Sequence, residues 1–142
     1  MTRPNEMTGG CLCGAVRFSC APAERHTDVC HCGMCRRWCA GPAFMVDCGE
    51  GVEFTKTDGL SFYRSSEWAE RGFCNRCGSS LCYRLVGKKA MFVSIEALDD
   101  RDGFTFTQQI FIDEKPGYYT FSDHTKTMTG AEVFAAFAQA GS

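Results

Sequence analysis

Seven cysteines fall in three tight clusters: Cys11-Leu12-Cys13, Cys30-His31-Cys32-Gly33-Met34-Cys35 and Cys74-Asn75-Arg76-Cys77. Thiolates at such spacings grip a soft divalent ion. Zinc in a structural role is closed by four protein ligands, whereas a working zinc keeps one position open. Seven ligands divided four plus three predict two zinc ions per chain, one a staple and one reactive.

Cys11 and Cys13 lie between Gly9-Gly10 and Gly14, and Cys77 is followed at once by Gly78. These glycines let the backbone curl so that each sulfur pair faces one ion. Pairing the two clusters makes a four-cysteine site of Cys11, Cys13, Cys74 and Cys77, which closes a long loop and restricts the unfolded chain. Cys30, Cys32 and Cys35 have no partner cluster left. Either their ion keeps an open position or Cys39, His31, His26 or His124 closes it. His31 sits between two ligands, so its ring is expected to point away from the ion and to orient a ligand or contact a substrate.

Three thiolates on a divalent ion leave a net charge of -1, which favours holding a further thiolate over generating hydroxide. A coordinating thiol is deprotonated outright. The added negative charge calls for nearby cations, and Arg36 and Arg37 follow Cys35 directly, suited to that charge and to substrate carboxylates. The plain alternative for this pair is a solvated helix face. Of the remaining cysteines, Cys20 and Cys48 share parity with apolar neighbours and read as small buried groups, while Cys82 takes the face opposite Leu81. Trp38 either lines a pocket or seals the core, and its size favours the core. His31, Tyr63 and Tyr83 are the conceivable proton-transfer groups.

The elements that must carry these residues are mostly strands. Apolar residues alternate over 15–20 (Val16, Phe18, Cys20) and 43–48 (Phe44, Val46, Cys48), and further strands are expected at 52–56, 60–64, 71–74, 80–85, 90–95, 104–112 and 118–121. Turn residues separate them, as at Asp58-Gly59, Asp102-Gly103 and Pro116-Gly117. Two helices are expected. One is short, within 33–39 and carrying Cys35. The other follows Thr129-Gly130-Ala131-Glu132, which has capping-box spacing. The fold class is therefore mainly β: small stacked antiparallel sheets stapled by zinc, with a short helix near Cys35 and a C-terminal helix. Residues 1–8 are expected to be a flexible N-terminus and 9–142 a single zinc domain.

Composition narrows the function. A hydrophobic fraction of 44% suits a globular domain, and a net charge of -2 with a pI near 5.9 gives no footprint for nucleic acid or an anionic membrane. No apolar run approaches the ~20 residues of a membrane span. The first residues lack the apolar centre of a signal peptide, so a cytoplasmic protein is expected. There, clustered cysteines bind metal rather than pair as disulfides. A thioredoxin-like exchange role for either CxxC calls for a βαβ setting that this strand-rich pattern does not offer.

Read together, Gly10-Cys11-x-Cys13-Gly14, Cys30-His31-Cys32-x-x-Cys35-Arg36-Arg37 with Gly41 and Phe44, and Phe73-Cys74-x-x-Cys77-Gly78 resemble the glutathione-dependent formaldehyde-activating enzyme family, which includes centromere protein V. The resemblance runs from about Gly9 to Gly117. It implies a β "tent" with a structural zinc on Cys11, Cys13, Cys74 and Cys77 and a catalytic zinc on Cys30, Cys32 and Cys35. It also implies carbon–sulfur lyase chemistry on the adduct of glutathione, or another small thiol, with formaldehyde or a related aldehyde. Two departures stand out. Gln109 occupies a position where the family often has histidine, and Tyr118-Tyr119 stand where tryptophan often follows the Lys-Pro pair. The competing reading is a non-enzymatic zinc-stapled module that binds a protein or peptide, favoured if a further side chain closes the second site.

Overall fold

The computed structural model describes residues 5–140. By contacts the chain forms two compact units. The first comprises the N-terminal segment through Arg25 together with Met45–Phe104, and the second His26–Phe44 together with the segment from Thr105 onward.

The first unit is all β apart from short turns. Strands β1 (Met7–Gly10), β2 (Val16–Cys20) and β5 (Glu53–Thr57) make an antiparallel sheet in the order β1-β2-β5. β1 thus takes in Met7 and Thr8 of the segment expected to precede the domain; residues 1–4 lie outside the described residues. A second antiparallel sheet runs β4-β9-β8-β7-β6, formed by β4 (Ala43–Asp47, paired from Met45), β6 (Leu60–Arg64), β7 (Ala69–Cys74), β8 (Ser80–Leu85) and β9 (Met91–Ser94). Alternation along β2 buries Val16, Phe18 and Cys20 as expected, and Leu81, Val93 and Leu98 of the same unit are buried as well. Phe54 links the sheets, its ring 6.1 Å from Phe18 and 6.2 Å from Phe62, both edge-on. Leu81 and Cys82 are both buried, so β8 is covered on both faces there and Cys82 is a core residue.

Gly59, in the two-residue turn by which the chain passes from β5 in one sheet to β6 in the other, is buried against the start of β2 and the end of β7. Its N–H donates to the Ala15 carbonyl, and its own carbonyl accepts from Asn75 N–H at 2.7 Å. A Cβ here would stand 2.7 Å from Cys74 Sγ and 3.1 Å from Ala15 Cβ, so only glycine lets this turn reach the cysteine turn.

The second unit holds three parallel strands, β3 (His26–Cys30), β10 (Thr105–Ile110) and β11 (Lys126–Met128), in the order β11-β10-β3. It also holds two helices, α1 (Gly33–Cys39) and α2 (Gly130–Ala140). The capping box at the start of α2 forms as its spacing implies: Glu132 N–H donates to Thr129 Oγ1 at 3.2 Å, and Thr129 N–H donates to Glu132 Oε1 at 2.9 Å. β10 stops short of the expected 104–112 because Phe111 takes a left-handed conformation (φ 55°) that no strand continues through. A single 3-10 turn, Ile112–Glu114, follows. From it Asp113 accepts a hydrogen bond from Gly130 N–H at 2.8 Å and Glu114 accepts one from Gly33 N–H at 3.0 Å. One turn thereby places a carboxylate at the N-terminus of each helix, where the exposed N–H groups favour it.

The strand expected at 118–121 does not form: Tyr118 closes a turn with Gly117, and 119–121 are irregular. Lys115 explains it: its ammonium donates to the carbonyls of Pro116 and Tyr119, folding the segment around the charge. Trp38, assigned to the core by its size, is only half-buried, and α1 contributes no buried residue. A seven-residue helix held by its ends needs little packing of its own.

Candidate functional site

All eleven cysteines are free thiols, and two groups of them converge. Within each group every sulfur lies within 4.8 Å of the others: Cys11, Cys13, Cys74 and Cys77 in the first unit, and Cys30, Cys32 and Cys35 in the second.

In the first cluster the Cys11 and Cys13 sulfurs are 3.7 Å apart and those of Cys13 and Cys74 are 3.8 Å apart. Zinc–sulfur bonds of about 2.3 Å in a tetrahedron put sulfurs about 3.8 Å from one another, so the donors stand at the spacing such an ion requires. Hydrogen-bond donors reach three of the four sulfurs. Val16 N–H donates to Cys11 Sγ at 3.2 Å, and Arg76 N–H reaches Cys74 Sγ at 3.4 Å. Ser79 Oγ lies 3.2 Å from Cys77 Sγ while accepting from Leu12 N–H, tying the two cysteine turns together. The Ser79 hydroxyl and amide hold the Cys77 thiol down to about 5. A cavity of about 530 Å³ borders this cluster, lined in part by Leu12, Arg17 and Arg101.

The second cluster is local. Cys30 ends β3, Cys32 is the N-cap of α1, and Cys35 lies in the first turn, its N–H donating to Cys32 Sγ at 3.3 Å. Cys30 is buried, and its thiol is pushed far up by the Cys32 and Cys35 sulfurs and then by burial. Three thiolates cannot share this space without a cation, so the donor set suits a soft divalent metal and calls for one. Among the described residues no further His, Cys, Asp or Glu joins the three, so Cys39, His26 and His124 stand outside the cluster.

His31 stands outside it as well. Expected to orient a ligand or contact substrate, it is fully buried with both ring nitrogens engaged: Nε2 lies 2.8 Å from Gln109 Oε1 and Nδ1 lies 2.7 Å from the Tyr119 hydroxyl. Burial keeps its pKa low, as do the Lys115 and Arg36 charges. Gln109 is anchored in turn by its Nε2, which donates to Thr125 Oγ1 at 3.0 Å. Tyr119, half-buried, has its ring 5.5 Å from that of His31, and burial raises its phenol. Phe121 packs against both rings at 5.8–6.0 Å.

Arg36 turns back along the chain, its Nε donating to the His31 carbonyl at 2.8 Å, whereas Arg37 is exposed. Tyr63 and Tyr83 lie on β6 and β8 of the first unit, Tyr83 packed beneath the Arg71 guanidinium at 5.2 Å. Sequence reasoning did not pick out Tyr119. Its signal was available, because the two departures from the family pattern, Gln109 and the Tyr118-Tyr119 pair, meet at His31.

A mainly β protein carrying one four-cysteine and one three-cysteine cluster, each able to hold a metal ion, is the class that this fold and these clusters define. Residues 6–114 match the model of the glutathione-dependent formaldehyde-activating enzyme family, and the chain belongs to that family. It is 33% identical over 129 residues to an uncharacterized lyase of Schizosaccharomyces pombe, covering 90% of this chain and 94% of that one. It is also 30% identical over 84 residues to a Halomonas elongata protein provisionally named as a glutathione-dependent formaldehyde-activating enzyme, covering 53% of this chain and 54% of the relative. A crystal structure of a Rhodobacter sphaeroides protein shares the fold, with a TM-score of 0.54 at 22% identity over 66% of this chain and 88% of the other. No helix among the described residues is long and apolar enough to cross a membrane.

Proposed function

We propose that the protein is a zinc-dependent carbon–sulfur lyase acting on thiol adducts of a small aldehyde, with glutathione and formaldehyde as the leading pair. The observation that carries this reading is the three-sulfur cluster with no fourth protein donor among the described residues, combined with family membership. Zinc held there supplies Lewis acidity toward sulfur, keeping a thiol ionised near neutral pH.

The chain's own residues do the rest. Cys30, Cys32 and Cys35 are the catalytic-site ligands. Arg36, fixed by the His31 carbonyl, offsets the negative charge of a bound thiolate and, with the more mobile charge of Arg37, attracts substrate carboxylates. His31 acts from behind, as a group that positions Tyr119. Cys11, Cys13, Cys74 and Cys77 hold a second, structural zinc, and residues 9–142 serve as one zinc domain. Both centres need reduced thiols, in keeping with a cytoplasmic setting.

Native mass spectrometry with and without glutathione tests the reading. Two zinc ions per chain, and a glutathione adduct that Cys32→Ser abolishes, are expected. One zinc, or two with no thiol binding, would instead leave a stapled binding module.

A further inference from the structure

The backbone of β6 is paired on one side only. Asn75 N–H donates to the Gly59 carbonyl and Ser65 N–H to the Ala69 carbonyl, and these bonds frame the β6–β7 ladder at its two ends. Hydrogen-bonded and non-bonded pairs alternate along an antiparallel ladder. Ser61 and Tyr63 therefore turn their backbone groups toward Phe73 and Arg71 of β7, and Leu60, Phe62 and Arg64 turn theirs away. β6 ends its sheet, and among the described residues no protein group meets those outward N–H and C=O groups.

Proteins blunt such edges with charges, bulges, shortness or a covering segment. The strands β5, β11 and β1, which also end sheets, are blunted in these ways. β5 carries Glu53 and Lys56, β11 is three residues long and begins with Lys126, and β1 is bridged at Gly9 by Leu98. β6 is five residues long and pairs with β7 without a register shift. Its one charge, Arg64, is tied back to the carbonyls of Ser66 and Glu67 in the following turn. The Arg84 guanidinium lies over the Phe62 ring at 3.7 Å but is paired with Glu70, so it adds no net charge. On the same β6–β7 hairpin, Tyr63 and Trp68 are 58% and 50% exposed.

We propose that β6 pairs with β6 of a second copy of this chain, antiparallel, about a two-fold axis through Phe62. The strand is complementary to itself in this register. Phe62 faces Phe62, Leu60 faces Arg64 and Ser61 faces Tyr63, so each outward residue meets an outward residue and the ladder closes. The two Arg64 positions lie about 13 Å apart along the strands, beyond the screening length of ordinary buffer. Sliding the strands until Arg64 meets Arg64 sets like charges opposite each other and leaves most of the edge unpaired. A two-fold contact consumes both edges and stops at the dimer.

The test uses the full zinc-loaded chain in reducing buffer. Two short edges make a small interface, so sedimentation velocity is expected to show a reversible monomer–dimer equilibrium, half-associated at roughly 10–100 μM. Amide exchange read by NMR across that range supplies the register: the Leu60, Phe62 and Arg64 N–H groups slow as the dimer forms, whereas those of Ser61 and Tyr63, already bonded to β7, do not respond. Tyr63→Lys is expected to weaken association at least about tenfold with melting temperature and zinc content unchanged. Tyr118→Lys, the same change at a tyrosine exposed outside this hairpin, leaves association as it was. A chain that stays monomeric up to about 0.5 mM overturns the proposal and leaves the edge to an extended peptide of another protein. Association with the Phe62 amide still exchanging at its monomer rate also overturns it, moving the contact to another surface such as exposed Phe134 and Phe137 of α2. So does undiminished association in Tyr63→Lys.

Discussion

Replacing both sulfurs of one turn in each metal centre should separate a staple from a working site by stability alone. Cys13 and Cys74 are 61 residues apart, whereas Cys30 and Cys35 are separated by five. Treating each bound ion as a cross-link, the chain-entropy relation gives about 4 kcal/mol of stabilisation for the long loop and about 2 kcal/mol for the short one. The difference is a floor, because the four-cysteine site also packs against the buried Gly59 turn beside Cys74. Zinc-replete Cys74→Ser/Cys77→Ser should therefore lose at least about 2 kcal/mol more than Cys32→Ser/Cys35→Ser in equilibrium denaturant unfolding. In a thermal scan that amounts to roughly 4–8 °C for a chain of this size. Zinc measured on the same samples should fall by one ion per chain in each variant. Equal losses, or a larger loss for the Cys32/Cys35 pair, would refute the division of labour between the two centres.

Other consequences are quicker to check. Arg36→Ala should weaken binding of glutathione, measured by calorimetry, more than it lowers zinc retention, and more than Arg37→Ala does, because Arg36 is held at the His31 carbonyl, between two cysteines of the cluster in sequence, whereas Arg37 is exposed. Gly59→Ala should reduce zinc content toward one ion per chain and lower the melting temperature, since its Cβ meets Cys74 Sγ at 2.7 Å. The Arg17 guanidinium, followed by the Thr8 hydroxyl, holds the Asp99 carboxyl down to about 2. A depressed carboxylate stabilises the fold above its unfolded value of about 4, and that contribution fades as pH falls from there toward 2. Both partners are substantially exposed, so the pair contributes at most about 1 kcal/mol. Asp99→Asn should accordingly be less stable than the wild type at pH 6–7 and converge with it in acid; the comparison cancels the loss of cysteine ligation common to both.

How much was readable from the chain depended on how local the cause was. The cysteine clusters were legible because spacing within each one fixes what a turn can bring together, and the four-plus-three count set their division. The capping box at Thr129 and the alternation along β2 were legible for the same reason. β3 was not: His26-Thr27-Asp28-Val29-Cys30 is mostly polar and becomes a strand by pairing in parallel with β10. The segment at 118–121 was misread because its course is set by an ammonium several residues away rather than by the aromatic residues themselves. His31 was placed correctly away from the metal ligands, yet its partners lie 78 and 88 residues further along the chain, beyond the reach of any spacing rule.

The turn at Ile112–Glu114 ties the far end of the chain to the chemistry. Its two carboxylates hold Gly33 and Gly130 at once, and the Phe111 ring just before it packs edge-on against Phe134 of α2 at 5.7 Å. The two helices therefore share one anchor. A chain cut before Gly130 leaves Asp113 and Phe111 without their partners and loosens the turn that also fixes the start of α1, where Cys32 and Cys35 sit. C-terminal truncations and bulky C-terminal fusions thus act as distant perturbations of the thiol site, and α2 serves as an outside handle on it.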